Sequence, residues 1–292
     1  MPPVYPAKTL KFSLPPRPPA DSEQDFGSVL VIGDGTSSYG VGMLIALAAL
    51  RSGAGSVTRV TSAERANAAR AVHPEIAILH LPENKGEAFT LAAREYLLEV
   101  AQEYSCAVLG FALPPSGESG ELLRLLIRET PLPLIVGGSA LRAVSTERRL
   151  FADRVAPTVI VANAAEIEYL LNDDEKTSPT DYALRYAQST QTIVALIGRT
   201  IRVTDGGQVI DNPTGKSGMF TVGADAVLAG VVAALIAQKS DPRSAAVAGA
   251  YLHGWASDFA VKKLGHYGVI AGDIVASLPE AFKAQCKRAI KK

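Results

Sequence analysis

Short apolar runs recur along this chain, and between them lie stretches with helical patterning. The runs are SVLVIG at 28–33, SVTRVTS at 56–62, EIAILHL at 75–81, CAVLGFAL at 106–113, PLIVGG at 133–138, TVIVAN at 158–163 and TIVALIG at 192–198. Continuous β-branched runs of this length suit strands buried on both faces, as in parallel sheets. The intervening segments at 41–55, 62–72, 87–104, 118–130, 164–172 and 180–190 read as helices, and most of the chain beyond residue 224 is helical as well. Residues 200–212 read as a hairpin around Asp205-Gly206-Gly207. Strands that alternate with helices imply an α/β fold with a mostly parallel central sheet and helices on both faces. Ligands of such sheets sit beyond the carboxyl ends of the strands. The loops after Ile32, Leu109, Val136, Val161 and Leu196 are therefore where function is expected.

Charge and composition exclude several classes. Twenty-nine Lys and Arg balance 29 Asp and Glu, so no long-range field favours nucleic acid or an anionic membrane. No segment has the apolar length of a membrane span. Cys106 and Cys286 form no redox or metal spacing, and His73, His80, His253 and His266 form no H-x-x-x-H pair. A reducing, cytoplasmic setting with free thiols and no structural metal is expected. Residues 1–24, rich in proline, read as an extended arm that is either disordered or packed on a neighbouring subunit; residues 25–292 read as one domain.

The stretch TGKSGMFTVGADAVLAG at 214–230 carries the chemistry. A glycine-rich turn runs into a helix whose first N–H groups and positive dipole end suit an anion. Thr214, Gly215, Lys216, Gly223 and Ala224 are the candidates for holding phosphate there, with Gly198 from a neighbouring loop. Asp225 is either a catalytic base or a helix-capping acid. Lys216 does not belong to a G-x-x-x-x-G-K-[ST] loop. Tyr39, Asn163 and Glu166 are candidates for lining the cleft; strand-end hydrogen bonding and helix capping explain the last two equally well. His253, on an apolar helix, reads as a hydrogen-bonded structural histidine.

The order of these motifs resembles the NAD(P)H-hydrate dehydratase family, ribokinase-like proteins akin to the C-terminal half of bifunctional NAD(P)H-hydrate repair enzymes. The resemblance rests on QDFGSVLVIGDG and LAALRSGAGSVTRV, HPEIAI at 73–78, the 214–230 motif, AVAGAYLHGWASDFA at 246–260 and GVIAGDIVASLPEA at 268–281. It implies a ribokinase-like fold, ATP or ADP with magnesium as cosubstrate, and hydrated NADH or NADPH as substrate. It further implies phosphorylation of the added hydroxyl to make it a leaving group. A base at the helix start would activate that hydroxyl, and backbone N–H groups would steady the transferring phosphate.

The chain departs from the family pattern at the chemical positions. Without gaps, the family's aspartate falls on Ala226, and Asp225 falls on the glycine before it. One step along a helix turns a side chain by about 100 degrees. Asn163-Ala164-Ala165-Glu166 stands for H-P-G-E, Leu196-Ile197-Gly198 for L-K-G, Gly110-Phe111-Ala112-Leu113-Pro114 for G-P-G-L-G, and Val136-Gly137-Gly138-Ser139 for D-A-D-G/A. These changes favour a catalytically impaired member, kept as a nucleotide-binding or assembly subunit in a homo-oligomer or complex, with Asp225 a capping acid. An active dehydratase is the alternative, and a small-molecule kinase shares the fold class.

Overall fold

The computed structural model describes residues 4–6, 14, 17, 19, 22–33, 40–81, 89–145, 147, 149–171, 177–215 and 220–290. Tyr39 and Lys216 lie outside the described residues. Ten strands form one sheet in the order β1-β10-β9-β8-β7-β6-β5-β2-β3-β4. The strands are β1 Val4–Pro6, β2 Ser28–Ile32, β3 Ser56–Ser62, β4 Ala77–Leu81, β5 Cys106–Leu109, β6 Leu134–Gly137, β7 Thr158–Asn163, β8 Ile193–Ile197, β9 Ile201–Thr204 and β10 Val209–Asp211. From β4 through β8 all neighbours pair in parallel. The expected hairpin is present as β9 and β10, antiparallel to each other and to β8. Part of the N-terminal arm adds β1 in parallel to β10, so within this chain Val4–Pro6 pairs with its own sheet.

Side chains of the parallel strands alternate between two cores, as the two-residue strand period requires. Val29, Val31, Val108, Ile135, Val159, Val161 and Ala195 face one core. Leu30, Ile32, Leu109, Leu134, Val136, Ile160 and Leu196 face the other. The first core is covered by α1 Val41–Arg51, α8 Ala224–Ala237, α9 Pro242–Leu264 and α10 Ala271–Ile290. On the second lie α3 Arg94–Ala101, α4 Gly117–Glu129, α5 Ser139–Ala143, α6 Ala164–Leu171 and α7 Pro179–Thr190, while α2 Ala63–Val72 packs beside β4.

Helix α8 is the centre of the first core. Every residue on it is buried except Asp225. A helix that is apolar all round belongs inside a protein. Gly230 lets α8 approach α1 closely, because a Cβ there would stand 2.3 Å from the Ile45 carbonyl oxygen. Two expectations are corrected. No helix was foreseen at α5. The helix expected over 87–104 starts as a 3-10 turn at Leu91–Ala93 and is α-helical only over Arg94–Ala101. Its beginning is tied to α4 instead: Ser119 Oγ donates to the Phe89 carbonyl at 2.6 Å, and Leu91 N–H donates to Glu118 Oε2 at 3.1 Å. Among the described residues no helix is long and apolar enough to cross a membrane. Both cysteines are free, and burial pushes the Cys106 thiol up to about 12, so it stays protonated.

Candidate functional site

The strand order reverses between β2 and β5, and the carboxyl ends from there to β8 carry the candidate residues. The chain enters α8 through a left-handed Gly223 at φ 87°, a conformation that glycine adopts without strain. A Cβ at Gly223 would also come within 2.7 Å of Leu44 Cδ1. Gly223 is therefore the N-cap of α8 and makes no side-chain cap bond. Asp225 follows as a first-turn acid.

The Asp225 carboxyl is half-buried. Desolvation by burial raises its pKa, and the N–H groups of Ala226 and of Asp225 itself pull it partly back. Its charge acts on Glu166, on the first turn of α6. Glu166 is raised chiefly by burial and further by the charge of Asp225, while the Asn163 N–H and Arg142 oppose the shift. The fold thus sets Glu166 within the field of Asp225, with the Arg142 guanidinium from α5 opposing it. Asn163 and Glu166 also hold each other in a reciprocal cap: Asn163 N–H donates to Glu166 Oε2 at 2.9 Å, and Glu166 N–H donates to Asn163 Oδ1 at 3.1 Å.

The expected phosphate donors are largely engaged inside the protein. Ala224 N–H donates to the Thr221 carbonyl at 3.1 Å, and Gly198 N–H to the Thr200 carbonyl at 3.2 Å. Gly215 N–H donates to Asp258 Oδ2 at 3.0 Å. Thr214 Oγ1 donates to the Tyr251 carbonyl at 2.8 Å. Buried Asn212 completes this clamp by donating to the Ala250 carbonyl at 2.9 Å and accepting from Thr214 N–H at 3.2 Å. Gly254 has no Cβ at the point where α9 meets Thr214. The N–H groups of Asp225 and Ala226, next in the first turn of α8, act on the Asp225 carboxyl itself.

Gly198 also lines a pocket of about 350 Å³ between the start of α7 and the β8–β9 turn. Its walls are mostly apolar, from Leu196, Ile197, Val209, Pro179 and Ala164. Its polar edge is internally bonded: Thr200 Oγ1 donates to Asp211 Oδ1 at 2.5 Å, and Arg202 Nη1 donates to Thr180 Oγ1 at 2.9 Å. Ala164 belongs to this pocket, and Glu166, two residues on, belongs to the carboxylate pair, so pocket and pair share the α6 start.

His253 is a correction to the sequence reading. It is buried as expected, yet neither ring nitrogen meets a hydrogen-bond partner among the described residues. Sequence reasoning missed Arg142, Asn212 and Asp258. The one signal available for Asp258 was an acid in the otherwise apolar 245–261 stretch. Among the described residues no three His, Cys, Asp or Glu side chains gather as a metal site.

The profile of the NAD(P)H-hydrate dehydratase family matches residues 29–280 of this chain. The bifunctional NAD(P)H-hydrate repair enzyme Nnr of Moorella thermoacetica is 33% identical over 274 residues, 92% of this chain and 52% of that protein. The chain thus spans about half the length of the bifunctional relatives it matches. The ADP-dependent (S)-NAD(P)H-hydrate dehydratase of Xanthomonas campestris is 30% identical over 268 residues, 90% of either chain. In fold, the chain is similar to the ADP/ATP-dependent NAD(P)H-hydrate dehydratase of Bacillus subtilis co-crystallised with ATP and Mg2+, with a TM-score of 0.77, 20% identity and coverage of 93% and 94%.

Proposed function

Because the chain belongs to the NAD(P)H-hydrate dehydratase family, we propose that it is an ATP- or ADP-dependent dehydratase of hydrated NADH or NADPH, with Asp225 as its base. Helix phase carries this reading. Asp225 is the residue of α8 that reaches out of the core, whereas Ala226, where ungapped register sets the family's aspartate, is 0% exposed within the first core. A carboxylate at 226 would be enclosed by apolar groups; at 225 it is partly exposed and its charge acts on Glu166. Burial raises its proton affinity towards the working pH, which suits a base. In this role Asp225 takes the proton of the added hydroxyl as that oxygen is phosphorylated, and the N–H groups of Asp225 and Ala226 steady the carboxylate that does so. The apolar pocket at Gly198 fits a flat ring beside the α6 start. Magnesium bound with the nucleotide would draw on phosphate oxygens together with one or both carboxylates.

The test is regeneration of NADH from hydrated NADH with ATP or ADP. Asp225→Asn is expected to lower turnover by about 10²–10⁴-fold, the usual contribution of a general base, at an unchanged denaturation midpoint. Absence of turnover from folded wild-type protein at high concentration rejects the reading.

A second reading keeps the chain as a non-catalytic nucleotide-binding or assembly subunit. It is favoured by the bonded N–H groups of Gly198, Gly215 and Ala224 and by Ile197 in place of the family's lysine. It predicts a rise in melting temperature with nucleotide, as ligand binding to the folded form requires, and no turnover.

A further inference from the structure

We infer that Arg142 is an anion-recognition residue, whose guanidinium takes a phosphate of a nucleotide or dinucleotide ligand beside the α6 start; this rests on the proposed reading of the carboxyl edge as a nucleotide site.

Arg142 lies on α5, which follows β6, and α5 packs against α6, which follows β7. The Arg142 guanidinium stands over the Tyr169 ring, with its carbon 5.2 Å from the ring centroid. Tyr169 and Glu166 are three residues apart on α6 and so share a face of that helix. The ring contact thereby brings the guanidinium to the side of α6 that carries Glu166, whose ionised form it favours. Arg142 and Tyr169 are both exposed, the tyrosine at 51%. At that exposure the ring adds little to the core and instead supports a cation.

The arginines of α3 and α4 are engaged within the protein: Arg94 pairs with Glu129, and Arg124 and Arg128 pair with Glu147. Among the described residues the Arg142 guanidinium has no carboxylate within 4.0 Å and donates no hydrogen bond. Glu166 Oε2 is already taken by the Asn163 N–H. A guanidinium carries five N–H donors in a planar fork that fits phosphate oxygens two at a time. Held on a ring, charged and with its fork unspent, Arg142 is prepared for an anion. With two acids, Asp225 and Glu166, at this edge, a phosphate placed here needs a counter-charge, and Arg142 already acts on that spot. The apolar pocket at Gly198 lies at the end of β8, two strands along from β6. Neighbouring strands are about 4.8 Å apart, so roughly 10 Å separates a ring in that pocket from a group on the α5 side of α6. A base and its phosphates span such a distance, and a free inorganic anion does not.

The experiment is calorimetric titration of the full chain with ATP, ADP, NADH, NADPH and adenosine. It uses wild type, Arg142→Gln, Arg142→Lys and, as a charge-matched control, Arg128→Gln. Arg142 is exposed, so its variants are expected to keep the wild-type denaturation midpoint. Arg142→Gln is expected to weaken binding of one or more phosphorylated probes by about 10–100-fold, the scale of a hydrogen bond to a charged group, and to treat adenosine as wild type does. Arg142→Lys keeps the charge, loses the fork and is expected to fall between the two. Arg128→Gln is expected to bind as wild type. A loss confined to ATP and ADP assigns the phosphate to the nucleotide. A loss shared by NADH and NADPH assigns it to the dinucleotide's diphosphate, and a loss for NADPH alone assigns it to the 2′-phosphate. Unchanged affinity of Arg142→Gln for every phosphorylated probe overturns the proposal. An equal loss for adenosine or in Arg128→Gln overturns it too, as does a wild type that binds no probe. Binding is read without turnover. Affinity that depends on Arg142 in a chain that regenerates no NADH keeps the anion role and rejects only the dehydratase reading. Turnover with unchanged affinity in Arg142→Gln rejects only the anion role.

Discussion

Helices α6 and α8 both begin at the carboxyl edge of the sheet, and they are closed in opposite ways. At α6 the Asn163 and Glu166 side chains satisfy each other's backbone N–H groups. At α8 a left-handed glycine makes the entry, no side chain caps it, and Asp225 stands in the first turn with a raised pKa. Helices α7 and α9 follow the α6 solution, with Ser178 and Asp241 as their caps. A capped start is finished as structure. The α8 start has no N-cap side chain, as at α1, α4 and α5, but it alone of these has an aspartate in its first turn; under the proposed reading that aspartate is the base.

The strongest way to break this contrast is Ala226→Asp. Placing a carboxylate at a site 0% exposed in the core is expected to cost about 3–5 kcal/mol, read from urea denaturation. A variant of normal stability with faster turnover would move the base to 226.

The acid limb of stability comes next. Buried His253 is depressed to about 4 in the folded chain and titrates near 6.5 when unfolded. The unfolded state therefore binds the extra proton, and stability falls as pH drops from about 6.5 to 4, by about 3 kcal/mol from this group. Raised Asp225 and Glu166 act with the opposite sign: they favour folding at low pH and lose that contribution as pH rises through their folded values. Denaturation of His253→Phe across this pH range is expected to lack the acid loss. An identical pH profile would show that His253 is not the source.

Gly223→Ala sharpens the contrast at α8. A side chain at φ 87° beside Leu44 is expected to cost about 1–2 kcal/mol, together with a displaced Asp225. Asn163→Ala is the matching change at α6. Loss of that cap is expected to cost about 1 kcal/mol, with a smaller effect on turnover than Asp225→Asn. An equal loss of turnover would make Asn163 part of the chemistry.

Much of the architecture was legible because burial on both faces of a parallel strand leaves a continuous apolar run. All the strands from β2 to β10 fall within stretches read as strand or hairpin. Helix α5 was not legible: five residues carry no period, and Gly138 at φ 59° starts it only because β6 delivers the chain there. The long helix expected at 87–104 was shortened by Glu118 and Ser119, which bond its start from across the core. At the site, sequence picked out Asp225, Asn163 and Glu166 without showing that the last two cap each other or that the charge of Asp225 acts on Glu166. Arg142 acts on Glu166 from another helix, Asn212 bonds Ala250 38 residues away and Asp258 bonds Gly215 43 residues away, which no local pattern records.

The sequence by itself determined the sheet, its two cores and the family, because apolar periodicity and motif order are written locally. Which of two adjacent positions, 225 or 226, escapes the core was decided only by tertiary structure. The packing of α8 against α1, α9 and the sheet sets its rotation, and that rotation buries Ala226 and leaves the Asp225 carboxylate partly exposed, where its charge acts on Glu166.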